Sequence, residues 1–287
     1  MHSFKVETAK SLLDFLFECY PTIPRTRVKK WLKLQCVSVN GQTVTRHDLS
    51  LSPQDRVEIT PGKKTLLPKR SSIKIIYQDE SILVIEKPAG LLTIATEKIK
   101  TKTAYFEVND LLQTSVPGRR ERAFIVHRLD RETSGLLVFA RNEAVKHQLQ
   151  KNWEGVEKHY YAVVEGVPAR KESVLKSHLA QNSILRVYST EESEHTKIAV
   201  THYRLIKTNG KFSLLDVMPK TGRKNQIRVQ LADIGHPIAG DEKYGSTKDP
   251  AGRLALHAYS LSFPHPVTHK IMHFKNDLPQ SLSNILK

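Results

Sequence analysis

The amino-acid sequence predicts an α+β protein whose main domain contains a mixed, largely antiparallel central sheet. Apolar, β-branched segments typical of strands outnumber helical patterns, and the two kinds do not alternate regularly. This order argues against a doubly wound nucleotide-binding fold. The sequence contains neither a Walker phosphate loop nor a G-x-G-x-x-G segment, so nothing in it indicates nucleotide hydrolysis or a dinucleotide cofactor. With 287 residues and 39% hydrophobic content, the chain is long enough for one large core and a small accessory domain.

Residues 1–60 are predicted to form that accessory domain, a small α+β unit. Apolar side chains recur at helical spacing in Leu12–Cys19 and again in residues 28–32. Residues 37–44 alternate through an Asn-Gly turn, which predicts a β-hairpin. The second predicted helix carries five cations: Arg25, Arg27, Lys29, Lys30 and Lys33. We expect this basic helix beside a hairpin to bind a polyanion.

Residues 61–72 are predicted to be a linker, because they contain two prolines and a glycine without hydrophobic periodicity. Residues 73–287 then form the main domain. Its strand patterns lie at residues 73–77, 82–85, 125–126, 136–139, 160–164, 212–217 and 254–258, and its helical patterns at residues 144–153 and 226–234. Residues 97–122 are charged and aperiodic, and only Val108–Leu112 suggest a core element, so we expect a mobile loop or an irregular helix there.

The segment from Val126 to Phe139 is the most informative one in the chain. It places Asp130 between Arg128 and Arg131 in a charged turn that separates two apolar strands. Nearby positive charge favours the ionised form of a carboxylate, so we expect Asp130 to be charged at neutral pH. Such a carboxylate acts as a nucleophile or an electrostatic stabiliser. Taken alone, the segment is equally well interpreted as a surface salt-bridge cluster.

Four segments of the main domain together resemble the RluA-type pseudouridine synthases. Residues 127–137 match every fixed position of the signature H-R-L-D-R-x-T-S-G-L-L. Residues 158–166 are similar to K-x-Y-x-A-x-V-x-G. Residues 221–229 are similar to T-G-R-x-H-Q-I-R-V, and residues 235–245 to G-H-P-I-x-G-D-x-x-Y-G. Asn225 departs from the pattern, because the family usually has His at this position.

The resemblance implies an RNA pseudouridine synthase, an isomerase that detaches uracil from ribose and reattaches it through carbon 5 without a cofactor. Asp130 would be the catalytic carboxylate and Arg223 its partner. Tyr160 would stack on uracil and help to remove the carbon-5 proton. Arg128 would contact phosphate and hold the target nucleotide out of its stack. Asp130 has three possible roles: attack on the sugar, attack on the base, or support for removal of a ribose proton.

The N-terminal segment has a resemblance of its own. Residues 25–59 are similar to the alpha-L RNA-binding module, including its V-x-V-N-G at residues 37–41. This module is typical of family members that act on large-subunit ribosomal RNA, which favours ribosomal RNA as the substrate. A transfer RNA pseudouridine synthase is one alternative. An RNA-binding ribosome-assembly factor, in which catalysis is dispensable or lost, is another.

The amino-acid composition of the chain is also consistent with binding to RNA. The chain has 45 Lys plus Arg against 29 Asp plus Glu, a formal net charge of +16, so we expect salt-dependent binding to polyanions. Cys19 and Cys36 lack the spacing of a zinc site and are expected to be reduced. The histidines form no H-E-x-x-H motif, and no long apolar run is present. We therefore expect a cytoplasmic monomer that uses no metal or cofactor and contacts no membrane.

Overall fold

The computed structural model describes residues 2–33, 36–60, 72–97, 99, 101–115 and 121–287. The chain divides into two compact units, Met1–Arg70 and Ser71–Lys287. Each unit has its own cluster of buried hydrophobic residues. The predicted linker lies outside the described residues, apart from Ser72.

The first unit is a small α+β fold. Its helices are α1 (Leu12–Cys19) and α2 (Arg25–Lys33), and its strands are β1 (His2–Lys5), β2 (Lys10–Ser11), β3 (Val37–Val39), β4 (Gln42–Thr43), β5 (Ser50–Leu51) and β6 (Arg56–Ile59). The two predicted helices and the hairpin are thus confirmed. The hairpin turns at Asn40 and Gly41, both with positive φ, as a two-residue turn between twisted strands requires. Val28 is fully buried against the sheet residues of the unit's core.

The second unit is built on one large sheet. The strands are β7 (Lys74–Gln78), β8 (Ile82–Lys87), β9 (Phe124–Ile125), β10 (Ser134–Ala140), β11 (Glu157–Glu165), β12 (Glu172–Gln181), β13 (Val187–Thr190), β14 (Lys197–Thr208), β15 (Phe212–Pro219), β16 (Leu256–Pro264) and β17 (Ile271–Lys275). Their order is β13-β12-β14-β15-β11-β16-β10-β8-β7, with β9 on β10 and β17 on β16. In the described residues, β10 and β16 are parallel and the other pairs of this sheet are antiparallel. The predicted mixed, largely antiparallel sheet is therefore confirmed.

Helices cover both faces of the sheet. They are α3 (Ala104–Ser115), α4 (Glu143–Lys151), α5 (Gln226–Asp233) and the short α6 (Gln280–Ser283). Successive side chains of a strand point to opposite faces. Accordingly Val138 of β10 packs with Val145 of α4, whereas the adjacent Leu137 packs with Val108 of α3. The helix predicted at residues 226–234 is confirmed as α5.

Helix α3 is regular, whereas a mobile loop or an irregular helix was expected in residues 97–122. Its buried residues Ala104, Val108 and Leu112 recur every four positions, and the partly buried Tyr105 and Leu111 pack beside them. Phe106 is 45% exposed, so apolar residues are not confined to one face and the hydrophobic periodicity of the helix is weak. Packing of the buried residues against the sheet stabilises α3.

Gly135 allows β10 to reach β16. The two strands pair in parallel through Gly135 and Ala258. Gly135 has a φ of +119°, and a Cβ at this position would lie 2.1 Å from the carbonyl oxygen of Ala258. Only glycine tolerates both this backbone conformation and this close approach. The contact fixes the end of the loop that carries Asp130.

Replacing Gly135 with Ala is expected to lower the free energy of unfolding by at least about 2 kcal/mol, because backbone strain and a clash with Ala258 act together. Thermal unfolding of the full chain measures the effect. Gly155→Ala is the matched control, because a Cβ there meets no described atom within 4 Å. Equal melting temperatures for the two variants would contradict the proposed constraint.

Candidate active site

Asp130 lies in the loop between β9 and β10, at the edge of a pocket of about 300 Å³. Its side chain is 26% exposed. The same pocket is lined by Tyr160 from β11, by Arg128 from the Asp130 loop and by Arg223 from the turn before α5. The structure thus brings together all four residues that the sequence singled out in the main domain.

The charged partner of Asp130 is Arg228. Nη1 of Arg228 lies 3.4 Å from Oδ2 of Asp130. Nε and Nη2 of the same guanidinium each donate a hydrogen bond of 2.7 Å to the carboxylate of Asp241, which is only 1% exposed. Burial by itself lowers the pKa of Arg228, but its hydrogen bonds and ion pair with Asp241, together with the charge of Asp130, outweigh burial and raise it. One rigid cation is therefore shared between two carboxylates.

This geometry corrects the predicted pairing of Asp130 with Arg223. Arg223 is exposed, and its Nε donates to the carbonyl of Ile198 at 3.2 Å. Arg228 was missed because both arginines belong to the same matched segment, and spacing alone does not choose between them. Helix α5 begins at Gln226, so Arg228 lies in its first turn and reaches the pocket from there.

Asn225 holds the guanidinium of Arg228 in place. It is buried and has a φ of +54°, in the left-handed region that Asn tolerates better than most residues. Its Nδ2 donates to the hydroxyl of Tyr244 at 2.9 Å, and its Oδ1 accepts from Nη1 of Arg228 at 3.3 Å. The uncharged amide therefore supplies one donor and one acceptor, and both have partners.

Tyr160 presents its side chain to the pocket from the middle of the sheet. It lies on β11, paired with Val217 of β15 and Ala258 of β16. Burial, reinforced by the negative charge of Asp130, raises the pKa of the Tyr160 phenol well above its ordinary value. At neutral pH Tyr160 is therefore protonated, so it offers a ring face and a hydroxyl donor rather than a phenolate.

Buried polar contacts hold the loop on either side of Asp130. The fully buried Lys87 donates from Nζ to the carbonyls of Pro88, Leu91 and Arg131 at 2.9, 2.7 and 3.1 Å. Burial lowers the pKa of Lys87 to about 7. Thr93 accepts from the backbone N–H of Leu129 and donates to its carbonyl. These contacts fix the backbone immediately before and after Asp130.

Of the other polar residues of the signature, His127 and Arg131 have structural contacts, whereas Arg128 faces the pocket. His127 accepts from the backbone N–H of Val138 through Nε2 and stacks on Trp153 with ring centroids 4.3 Å apart. Burial lowers the pKa of His127 to about 3, so the ring is neutral. Arg131 donates to the carbonyl of Gly90 and pairs with its neighbour Glu132. Arg128 is exposed on the pocket wall.

The predicted RNA-binding cations of the first unit lie on α2. Arg25, Arg27 and Lys29 are exposed there, because the buried face of α2 is formed by Val28, Trp31 and Leu32. Lys30 and Lys33 also belong to α2, but their side chains lie outside the described residues. Within the described ranges, no group of three or more potential metal ligands is found, and no helix is long and apolar enough to cross a membrane.

Comparison with known proteins identifies the family. The family model for RNA pseudouridylate synthases matches residues 81–233. The chain is 34% identical, over 98% of its length and 95% of the relative's, to an uncharacterised RNA pseudouridine synthase of Aquifex aeolicus. It is 31% identical, over 98% of its length and 79% of the relative's, to the ribosomal large subunit pseudouridine synthase D of Neisseria meningitidis serogroup A.

A solved structure shows the same likeness. The human RNA pseudouridylate synthase domain containing 4 superposes with a TM-score of 0.61 and 25% sequence identity, covering 73% of this chain and 90% of the human one. The matched region contains Asp130, Tyr160 and Arg228. The chain therefore belongs to the RluA-type family of RNA pseudouridine synthases, enzymes that isomerise uridine in RNA to pseudouridine.

Proposed function

We propose that this synthase acts on large-subunit ribosomal RNA and that Asp130 is its catalytic carboxylate. The observation that carries the catalytic assignment is the contact of Asp130 with the Arg228 guanidinium, in a pocket that also contains Tyr160. Ribosomal RNA is favoured because a relative that matches 98% of the chain is a ribosomal large subunit pseudouridine synthase. The exposed cations of α2 agree with a large polyanionic substrate.

The reaction breaks the bond between the ribose anomeric carbon and N1 of uracil and forms a bond to carbon 5 of the same base. Carbon 5 loses a proton and N1 gains one, so atoms and charge balance without a redox partner. Asp130 stabilises or captures the electron-deficient intermediate, as the carboxylate of a retaining glycosidase does. All three possible roles of Asp130 require a carboxylate oxygen held within reach of the nucleotide, and the contact with Arg228 positions that oxygen.

Tyr160 contributes the face of its aromatic ring and a hydroxyl that can donate a hydrogen bond. Because its hydroxyl is protonated at neutral pH, we assign its ring to stacking on uracil and its hydroxyl to orienting the proton transfer at carbon 5. Arg128 and Arg223, both exposed on the pocket wall, are assigned to the phosphates of the target nucleotide. A base inside a duplex does not reach such a pocket, so the uridine must be extruded.

Asp130→Asn is expected to reduce pseudouridine formation by at least about 1,000-fold while RNA affinity is kept, because the amide has the same shape but no negative charge. Release of tritium from carbon 5 of labelled uridine in ribosomal RNA, under single-turnover conditions, measures the chemical step. Asp110→Asn, at an exposed position of α3, is the control. Appreciable turnover by Asp130→Asn would exclude the assignment.

Arg228→Lys is expected to slow the chemical step by about 100-fold, because one ammonium group does not reproduce the forked contacts to Asp241 and Asp130. Arg223→Lys keeps a charge at an exposed position, so its single-turnover rate at saturating RNA should stay within about threefold of wild type. If Arg223→Lys slowed the chemical step more than Arg228→Lys does, Arg223 rather than Arg228 would be the partner of Asp130.

The triple variant Arg25→Gln, Arg27→Gln, Lys29→Gln is expected to weaken RNA binding. The slope of log K against log salt should become shallower by about 0.7 to 0.9 for each phosphate that the variant no longer binds, with the single-turnover rate at saturating RNA unchanged. Arg46→Gln is the control, because Arg46 already pairs with Asp48. If the slope of the triple variant equals that of wild type, α2 is not an RNA anchor.

Mapping of pseudouridines with carbodiimide-based sequencing, in cells with and without the gene, tests the substrate. We expect sites that disappear from large-subunit ribosomal RNA on deletion and return with the wild-type gene but not with Asp130→Asn. Sites that disappear only from transfer RNA would contradict ribosomal RNA as the substrate. Growth restored by Asp130→Asn would favour a role in ribosome assembly that does not need catalysis.

A further inference from the structure

The loop between β12 and β13, residues 182–186, carries two adjacent exposed apolar side chains. Ile184 is 77% exposed, the largest value for any large hydrophobic residue in the described part of the chain, and Leu185 is 61% exposed. Neither residue belongs to the segments that match the family signatures. Exposed adjacent apolar side chains indicate a surface that contacts something else.

The loop is held in a defined conformation. The side chain of Asn182 accepts from the backbone N–H of Arg186 at 2.8 Å, and the two residues also share a backbone hydrogen bond of 3.0 Å. Leu185 has a φ of +61°, a conformation that is unfavourable for leucine. The strained, hydrogen-bonded turn therefore presents Ile184 and Leu185 outward in a fixed position.

Two contacts join this loop to the wall of the active-site pocket. Lys224 lines the pocket, and its Nζ donates to the carbonyl of Leu185 at 3.3 Å. The guanidinium of Arg186 lies 5.6 Å from the ring centroid of Tyr244, and that of Arg228 lies 5.1 Å from the same ring. The exposed apolar side chains are thus adjacent to the mouth of the pocket that holds Asp130.

The surface beside the loop has an excess of positive charge. Arg186, Lys224 and Lys243 are exposed, and Nζ of Lys243 lies 5.7 Å from the Tyr244 ring centroid. Among the described residues, none of these three cations forms an ion pair with a carboxylate. Burial, followed by the charges of Arg228, Lys224 and Arg186, lowers the pKa of Lys243, so the cations are close enough to repel one another. Phosphate groups would neutralise this cluster.

We propose that this surface binds the nucleotides next to the target uridine and keeps the uridine extruded. Arg186, Lys224 and Lys243 bind the flanking phosphates, while Ile184 and Leu185 insert against the neighbouring base, at the stacking position that the uridine leaves. Apolar side chains inserted between base steps keep nucleic acids unstacked in this way in other proteins. The proposal rests on the proposed function, because it assumes that RNA enters the Asp130 pocket.

The double variant Ile184→Ser, Leu185→Asn tests the insertion. Asn is chosen at position 185 because it tolerates a positive φ. On a structured RNA hairpin with a stacked target uridine, kcat/KM is expected to fall by about tenfold or more, because the unstacking energy of the target base is no longer offset. On an unstructured oligonucleotide with the same target sequence, the single-turnover rate at saturating RNA should stay within about twofold of wild type.

Val267→Ser with Ile271→Thr is the matched control, since these residues are similarly exposed at 61% and 58% and do not line the pocket.

A binding measurement separates this proposal from the catalytic one. With 2-aminopurine placed beside the target uridine, RNA binding by the Asp130→Asn protein should increase fluorescence as the bases unstack, without turnover. Adding the loop substitutions to Asp130→Asn should remove most of this increase. Arg186→Gln with Lys243→Gln should make the salt dependence of binding shallower by about 0.7 to 0.9 for each phosphate that is no longer bound.

Three outcomes would overturn the proposal. The first is an unchanged fluorescence increase together with full activity on structured RNA, which would leave the loop free for a protein partner. The second is an equal loss of activity on both RNAs. The third is an unchanged salt slope in the Arg186 and Lys243 variant. Failure of the wild-type protein to modify either RNA would instead count against the proposed function, and the fluorescence result would still decide the role of the loop.

Discussion

The pairing of the Arg228 guanidinium with both Asp241 and Asp130 is the interaction on which the candidate active site depends. A largely buried cation is stable only with a partner, and the two short hydrogen bonds to Asp241 provide one. They also fix the plane of the guanidinium, so that Nη1 remains for Asp130 and for the amide of Asn225. Three separate parts of the chain meet there: the β9–β10 loop, the first turn of α5 and the turn that contains Asp241.

The position of Asp130 is fixed by the backbone around it more than by its own side chain. Lys87 and Thr93 bind carbonyls on either side of it, and the approach of Gly135 to Ala258 fixes where the loop re-enters the sheet. A catalytic group, as we propose Asp130 to be, works best when its supporting residues are themselves immobile. Lys87 and Thr93 therefore support the candidate site, although they do not line the pocket.

Buried and exposed charged residues of this chain differ in how strongly salt affects their interactions. The Arg228–Asp241 pair is shielded from solvent and responds little to salt. By contrast, Arg25, Arg27 and Lys29 of α2 and the cations beside residues 182–186 are exposed, as the proposed contacts with phosphate require. In a chain with a net charge of +16, we therefore expect the proposed RNA-binding surfaces to depend on ionic strength more than the pocket does.

The sequence by itself determined the fold class, the helices and hairpin of the first unit, and the grouping of Asp130, Tyr160, Arg128 and Arg223 at one pocket. Local periodicity predicts the helices and the hairpin, because these depend on neighbours along the chain, whereas the grouping of the four pocket residues followed from the resemblance of long segments to a known family. Only the tertiary structure decided that Arg228 contacts Asp130. This contact depends on which side chain the first turn of α5 directs into the pocket. It also depends on Asp241, from a later turn, which holds the guanidinium in place. The burial of Lys87 was likewise set by packing between distant segments, which leaves little trace in local sequence.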